Sequence, residues 1–578
     1  MDRKASISRR RYAQLMGGAL VAGALPFAAK AQTDDRGLIH SGQGWDPDAG
    51  LVKAYHSGGA IQSSEQAGQQ PHLLRESLWY AQAILANNPG PDTVARASTI
   101  IDKVLPFQET DPSNPHYGTW PYYKEEPLGR MRSPDDNWAE FMGAALCDLL
   151  IDQANVLAPD LQNRMRAALT AACLGIVRKN TQPGYTNIAI MAARVTLVGG
   201  QILHRPDIFS FGSSHLAALV AYTHQQGSFN EYNSPTYTFT ALEGLEAILV
   251  DVRDGGVRAN AHTLWLVAWD MISSHYHPGT GEWAGPHSRA YTDRLDNDTR
   301  ARIALRTGLP LPNADVPPVP TRNRILPCPP AMHDRFYRLP RPEVFEQQKF
   351  STASDTRDSN IGSTWMVDEA CLGSASFDTF WVQTHAIIGY WRGASKAAVF
   401  KVRLLKDGHD FASFGVHATQ SGNTVLMAAS PLANKGDTHP TIDKSASGFN
   451  GHELRLRFSL DGDGATARQL DGGFFELVSG GWKAVIQGGA MVFDGQTDPG
   501  QWQTGEQGGI ATVDYVIPLQ GHFKPETLAS TLLSASLYVA PAGAQPVPMP
   551  IEAHVHERGW HELHLGDQMK VQAPNFAR

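Results

Sequence analysis

PDLQNRMRAALTAACLGIVRKNTQPGYTNIAIMAARVTLVGGQIL, residues 159–203, is two long helix-forming runs joined by a short stretch of Gln, Pro, Gly and Asn. The same texture extends in both directions. Helices are predicted over 71–88, 91–104, 135–157, 159–180, 187–203, 213–226, 235–252 and 257–275, each broken by Pro, Gly or Asn. Repeated helix pairs of this kind predict helical hairpins stacked around an axis.

Beyond Pro310 the pattern changes. LPLPNADVPPVPTRNRILPCPP (309–330) is too proline-rich to continue a helix and reads as a linker or a strap across a domain face. It is followed by short alternating runs such as FASFGVHATQ, NTVLMAAS, HELRLRFSL, WKAVIQGG and ATVDYVIPL, separated by Gly, Asp and Asn. Period-two alternation with regular turn signals predicts an antiparallel β domain of one or more stacked sheets. The expected fold is therefore multidomain α+β. Residues 32–325 would form an (α/α) toroid carrying the active site, and residues 326–578 an antiparallel β-sandwich or β-sheet domain. With 578 residues, the chain exceeds what one core usually serves.

The N-terminus reads as an address. Ser8-Arg9-Arg10-Arg11-Tyr12 precedes a mild, Gly-containing apolar stretch and an Ala29-Lys30-Ala31 triplet, which resembles a bacterial twin-arginine signal peptide over residues 1–31. The expectation is a periplasmic or secreted protein that has no membrane association after cleavage. The full chain has a formal charge of −8, and removal of residues 1–31 leaves −13. So acidic a chain argues against nucleic acid and against densely sulfated polymers as partners. Cys147, Cys173, Cys328 and Cys371 are far apart and show no metal-binding spacing.

GSFNEYNSPTYTFTALEGL (227–245) crowds polar and aromatic groups into the mouth of one helix. Ser234-Pro235 predicts an N-cap and a first helical position, which puts Tyr237 in the first turn and Asn230, Glu231, Tyr232 and Asn233 just outside it. A helix N-terminus there could receive an anionic substrate group. Gly184-Tyr185-Thr186-Asn187 opens another helix with Asn187. In TGEWAGPHSRAYTD, His287, Arg289 and Tyr291 alternate, so an extended backbone would point all three the same way. HYGTWPYYKEE and DDNWAEF supply Trp120, Tyr122, Tyr123 and Trp138 beside carboxylates and amides, a mixture suited to sugar rings. In the β region, DGHDFASFGVHA carries His409 at a turn and His417 in a strand, and His385 lies in another expected strand.

With TNIAIM at Asn187, GSFNEYNSPTY at Tyr237 and DGHDFASFGVHA at His409, the chain resembles the heparinase II/III-like polysaccharide lyases. The resemblance implies an α/α toroid followed by an antiparallel β domain. It also implies β-elimination on a uronic-acid-containing polysaccharide or oligosaccharide. Asn187 would correspond to the group that neutralises the substrate carboxylate, Tyr237 to the acid or base, and His409 to the β-domain histidine. The usual Asn-His pair is here Asn187-Ile188.

Elimination requires donors on the uronate carboxylate, for which Asn187, His287 and Arg289 are candidates. A tyrosine base requires a nearby cation, and Arg289 or a histidine could supply it. Tyr232 and Tyr291 are alternative tyrosines. Trp120, Tyr123, Trp138, Asn230, Glu231, Tyr232, Asn233 and Tyr291 are candidate substrate contacts. No cofactor is required, and a structural divalent cation has no ligand spacing to support it. Two other readings stay open: a glycoside hydrolase pairing Glu231 with Glu282 or Asp136, and a non-catalytic glycan-binding protein.

Overall fold

The computed structural model describes residues 38–39, 43–55, 62, 70–310, 324–352, 358–434, 436–440, 442–445, 448–556 and 559–577. The signal-like segment 1–31 and most of the proline-rich run lie outside the described residues.

Among the described residues, after a small three-stranded sheet over 43–73, nine α-helices follow: α1 (Leu74–Asn87), α2 (Pro91–Val104), α3 (Trp138–Asp152), α4 (Pro159–Lys179), α5 (Thr186–Ile202), α6 (Pro206–Gln226), α7 (Tyr237–Asp251), α8 (Gly255–His275) and α9 (Asn297–Thr307). The first eight fall close to the expected segments, and α9 was not anticipated. Proline opens α2, α4 and α6 at the position where its missing N–H costs nothing. Left-handed Asn180 and Gly227 end α4 and α6.

Consecutive helices pair as hairpins, and α1, α3, α5 and α7 also pack in sequence against one another. These four form the inner ring. α3 and α5 are buried along nearly their whole length, while α2 and α4 keep exposed polar faces. Close approach depends on glycine: a Cβ on Gly143 of α3 would meet Val195 of α5 at 2.7 Å, and one on Gly244 of α7 would meet Ile190 of α5 at 2.9 Å. Because every hairpin returns antiparallel, the inner helices run parallel and their N-termini gather at one rim.

The opposite rim is closed electrostatically. Arg324, almost wholly buried, donates to Asp152 at the end of α3 (2.7 Å) and to Asp251 at the end of α7 (2.5 Å). A guanidinium there also complements the negative ends of the helix dipoles. After Arg324 the described part of the proline-rich run follows the helices, with Leu326 donating to Glu246 and Cys328 to the Arg306 carbonyl.

The C-terminal half is antiparallel throughout, as the alternation predicts. One sheet runs in the order 501–507, 510–518, 453–461, 398–406, 387–391, 370–375, 361–367, 343–349. A second runs 466–469, 474–479, 482–493, 532–541, 424–431, 414–421, 377–379. Phe400, Leu404 and Phe458 of the first interdigitate with Val416, Met427, Ile486 and Leu537 of the second to form a sandwich core. A small sheet over 551–574 covers the outer face of the second through Leu563, Val571 and Ala573. The four cysteines are buried free thiols.

The outer face of the first sheet packs on the helical half. Ala284 joins Cys371, Ile388 and Tyr390 in a small apolar cluster, and Gly373 leaves room for the Gly285–Pro286 backbone. His287 and His385 exchange backbone hydrogen bonds of 3.0 and 2.9 Å. The His287 ring is buried between the Asn233 carbonyl (Nδ1, 2.8 Å) and the Tyr390 hydroxyl (Nε2, 3.3 Å). His275 is buried likewise against the Tyr232 hydroxyl at 3.0 Å. Burial lowers both imidazoles from 6.5 to about 4 and takes His385 well below its ordinary value.

Two outcomes are expected. Replacing Arg324 by Met strands its buried carboxylate partners and should cost about 3–5 kcal/mol in urea unfolding. The buried histidines bind protons in the unfolded chain at a higher pH than in the folded one. Stability is then fully present above 6.5 and falls as pH drops toward 4. The urea midpoint should therefore decline across this window, and His275→Asn should decline less steeply than the parent.

Candidate functional site

The N-terminal rim of the inner ring collects the polar loops. At the start of α5, the Asn187 backbone N–H donates to Glu231 Oε2 at 2.7 Å, and its side-chain amide donates to both carboxylate oxygens at 2.7–2.8 Å. Glu231 thus occupies the anion position of this helix terminus. Burial raises its carboxyl pKa, with Arg289 and Asn187 opposing that rise.

At the start of α7, Ser234 Oγ accepts from the Tyr237 N–H at 3.0 Å and donates to the Arg289 carbonyl at 2.6 Å. Ser234 caps as expected, although regular helix begins at Tyr237 rather than Pro235. The Asn187 and Tyr237 N–H groups are therefore taken up internally rather than left for a substrate anion. What remains presented is side chain.

Arg289 is the hub of these side chains. Its Nη2 donates to the Tyr237 hydroxyl at 3.0 Å and to Gln383 Oε1 at 2.9 Å, and Nη1 lies 3.4 Å from Glu231 Oε1. The guanidinium stacks over the Tyr237 ring at 4.2 Å and over Trp381 at 5.1 Å. Tyr237 and Tyr291 share a 2.5 Å hydroxyl–hydroxyl hydrogen bond, and Tyr291 is 58% exposed. Tyr185, within the field of Arg289, presents its hydroxyl to Asn137 at 3.3 Å. Burial raises the Tyr237 phenol well above its ordinary 10, and Arg289 offsets only part of that rise. The resting phenol is a proton donor at neutral pH.

The β region contributes Trp381, Gln383 and a histidine. His439 packs edge-on against Trp381 at 4.9 Å. Burial lowers its pKa below the ordinary 6.5; Asp443 opposes the shift and the charge of Arg289 adds to it. His409 lies exposed on a short hairpin, paired with Lys406, and its side chain meets no residue of this cluster.

The structure brings together Asn187, Glu231, Tyr237, Arg289 and Tyr291. Asn230 is nearby, donating to the Tyr222 hydroxyl at 2.7 Å. Several other expected contacts are corrected. Trp120 is completely buried and Tyr123 nearly so, which leaves no face for a sugar to stack on. Trp138 is mostly buried between Tyr122, at 4.4 Å, and Arg75.

Tyr232 is buried on Phe350 with its hydroxyl on His275. Asn233, at a left-handed φ of 51°, donates to the Ala284 and Pro286 carbonyls at 2.8 Å and accepts from the Trp283 indole, so it anchors the loop. His287 does not point with Arg289 and Tyr291 but sits in the inter-half contact.

Four site residues were missed. Tyr185 stood within the quoted 184–187 motif. Trp381 and Gln383 lie just ahead of His385, and the 380–386 stretch is not the strand expected at His385 but the loop preceding strand 387–391. His439 carries no local signal. Among the described residues no group of three or more His, Cys, Asp or Glu is placed to hold a metal ion, and no helix is long and apolar enough to cross a membrane.

A family model described as a domain of unknown function, DUF8769, matches residues 43–305, the helical half. No curated protein matches the sequence. Among solved structures the chain is similar to heparinase III, with 8% identity over 90% of this chain and 85% of the other, at a TM-score of 0.46. It is also similar to the Streptomyces coelicolor A3 chondroitin AC lyase in complex with chondroitin sulphate, with 11% identity over 85% and 78% of the two chains, at a TM-score of 0.42.

Proposed function

We propose that the protein is an exported polysaccharide lyase that cleaves a uronic-acid-containing glycan by β-elimination at the Arg289 cluster. The observation that carries this reading is the 3.0 Å hydrogen bond from Arg289 to a rim-facing tyrosine, Tyr237, with a second, exposed tyrosine on its hydroxyl.

In β-elimination a base removes the proton on the carbon bearing the uronate carboxylate. The electron pair forms a carbon–carbon double bond, and the glycosidic oxygen departs and takes up a proton. Arg289 supplies positive charge for the carboxylate as it becomes enolate-like. The protonated Tyr237 phenol suits donation to the departing oxygen, and Tyr291 connects it to solvent. Neutral His439 has the charge state of a proton acceptor and replaces His409 as the β-region histidine in this reading. Asn187 acts through Glu231, holding the carboxylate that balances Arg289.

The hydrolase reading loses its second carboxylate. Glu282 is buried with Arg300 at 2.6 Å and the Leu295 N–H at 2.8 Å, and Asp136 holds His116 at 2.8 Å. Both are engaged by a basic side chain rather than left free.

The test is absorbance at about 232 nm, where an unsaturated uronate absorbs, during incubation with non-sulfated and sulfated uronate polymers. Absorbance should rise with the parent, and Tyr237→Phe should lose about 10²–10⁴-fold in rate. His439→Ala should be severely impaired and His409→Ala close to the parent. New reducing ends without absorbance would mean hydrolysis, and binding without either product would mean a non-catalytic glycan receptor.

A further inference from the structure

Elimination needs hydrogen-bond donors on the uronate carboxylate, and the groups that the sequence offers for this are largely committed inside the fold. The Asn187 amide, wholly buried, donates to both oxygens of Glu231 at 2.7–2.8 Å. His287 is buried with its ring nitrogens on the Asn233 carbonyl and the Tyr390 hydroxyl. Arg289 donates from all three of its nitrogens, to Gln383, Tyr237 and Glu231, and Glu231 balances its charge.

Gln383 is the group that this arrangement leaves open. A guanidinium only donates, so the side-chain oxygen of Gln383 must be the atom that faces Arg289, where it accepts from Nε at 3.3 Å and from Nη2 at 2.9 Å. That settles the orientation of the amide, and its NH2 group is turned off the guanidinium. Among the described residues no acceptor pairs with this nitrogen, which keeps accessible surface on a half-buried side chain. The same Nη2 holds the Tyr237 hydroxyl at 3.0 Å, so one guanidinium nitrogen sets the free amide beside the acid.

The turn that carries Gln383 is fixed from behind. Its backbone carbonyl accepts from the Ala290 N–H at 2.7 Å, next to Arg289, and the Thr384 N–H closes the turn on the Trp381 carbonyl at 2.8 Å. Arg403, buried in strand 398–406, donates to the Trp381 carbonyl at 2.9 Å and to the Thr384 carbonyl, and Asp410 accepts from its Nε at 2.5 Å. A donor held this way needs little reorganisation when charge develops in front of it. Asp410 is the neighbour of His409, so the DGHDF motif reaches the cluster through this turn and not through its histidine.

We propose that the Gln383 amide is a catalytic donor to the substrate's uronate carboxylate, the role that the resemblance implies for Asn187. The assignment rests on the elimination reading. The amide N–H bonds a carboxylate oxygen while the adjacent carbon loses its proton, and Gln383 itself neither gains nor loses one.

Two variants of the full chain test it. Gln383→Glu keeps acceptor oxygens for Arg289 but replaces the donating amide by a carboxylate, and Gln383→Met removes the donor without adding charge. On a uronate polymer that the parent converts with a rise near about 232 nm, Gln383→Glu should lower kcat/KM about 10²–10³-fold and Gln383→Met about tenfold or more, both with parent-like melting. On the methyl ester of that polymer, which has no carboxylate charge to repel, the loss in Gln383→Glu should be at least about tenfold smaller. Calorimetric titration with hexasaccharides of glucuronan, polygalacturonate and alginate separates this assignment from the elimination reading. At least one should bind Gln383→Glu about tenfold or more weakly than it binds the parent, while its carboxyl-reduced form binds both alike. That selectivity without absorbance on any polymer would overturn the elimination reading and keep Gln383 as the carboxylate donor of a binding site. Parent-like turnover and affinity of Gln383→Glu, or equal losses on acid and ester, would overturn the assignment and leave Gln383 as a prop for Arg289. Neither binding nor absorbance with any of these glycans would overturn both.

Discussion

The Arg289 guanidinium ties together three parts of the chain that are far apart in sequence. It reaches Tyr237 at the mouth of α7, Glu231 in the preceding loop, and Gln383 and Trp381 from the sheet half. One planar cation with donors on two edges can meet all of these at once, which a lysine ammonium could not do with the same stacking. Glu231 in turn satisfies the first turn of α5, so the charge of Arg289 is balanced by a carboxylate that is itself fixed by a helix end. The most exposed of its tyrosines is Tyr291.

That clamp works only because the inner helices are parallel. Alternating hairpins put every inner N-terminus at the same rim, where partial positive charge accumulates, and every inner C-terminus at the other, where Arg324 answers it. Polar groups inside such a ring must be paired or bound. Most are paired, through Arg194–Asp148, Arg302–Glu243 and Arg306–Glu246.

Much of the architecture was legible locally. Helix periodicity with proline at the starts and asparagine or glycine at the ends located eight of the described helices, and period-two runs located the main strands. The short helix α9, with its low apolar content, was missed because its packing rests on Arg302 and Arg306 meeting carboxylates of α7 rather than on an apolar stripe. Aromatic residues near carboxylates read as a sugar-binding surface, but Trp120, Tyr123 and Tyr232 pack inward, and composition carries no information about which way a ring faces.

The sequence by itself determined the order of a helical half and a sheet half, the caps that set helix ends, and the presence of Tyr237 and Asn187 at two helix mouths. These follow from interactions within a few residues along the chain. Only the tertiary structure decided that His287 is a buried neutral contact, that Asn233 is a loop anchor, that His439 rather than His409 meets the Trp381 face, and that Glu231 fills the anion position of α5. Each depends on where a distant backbone delivers a partner, and hydrogen bonds and desolvation act over a few ångströms of space irrespective of separation along the chain.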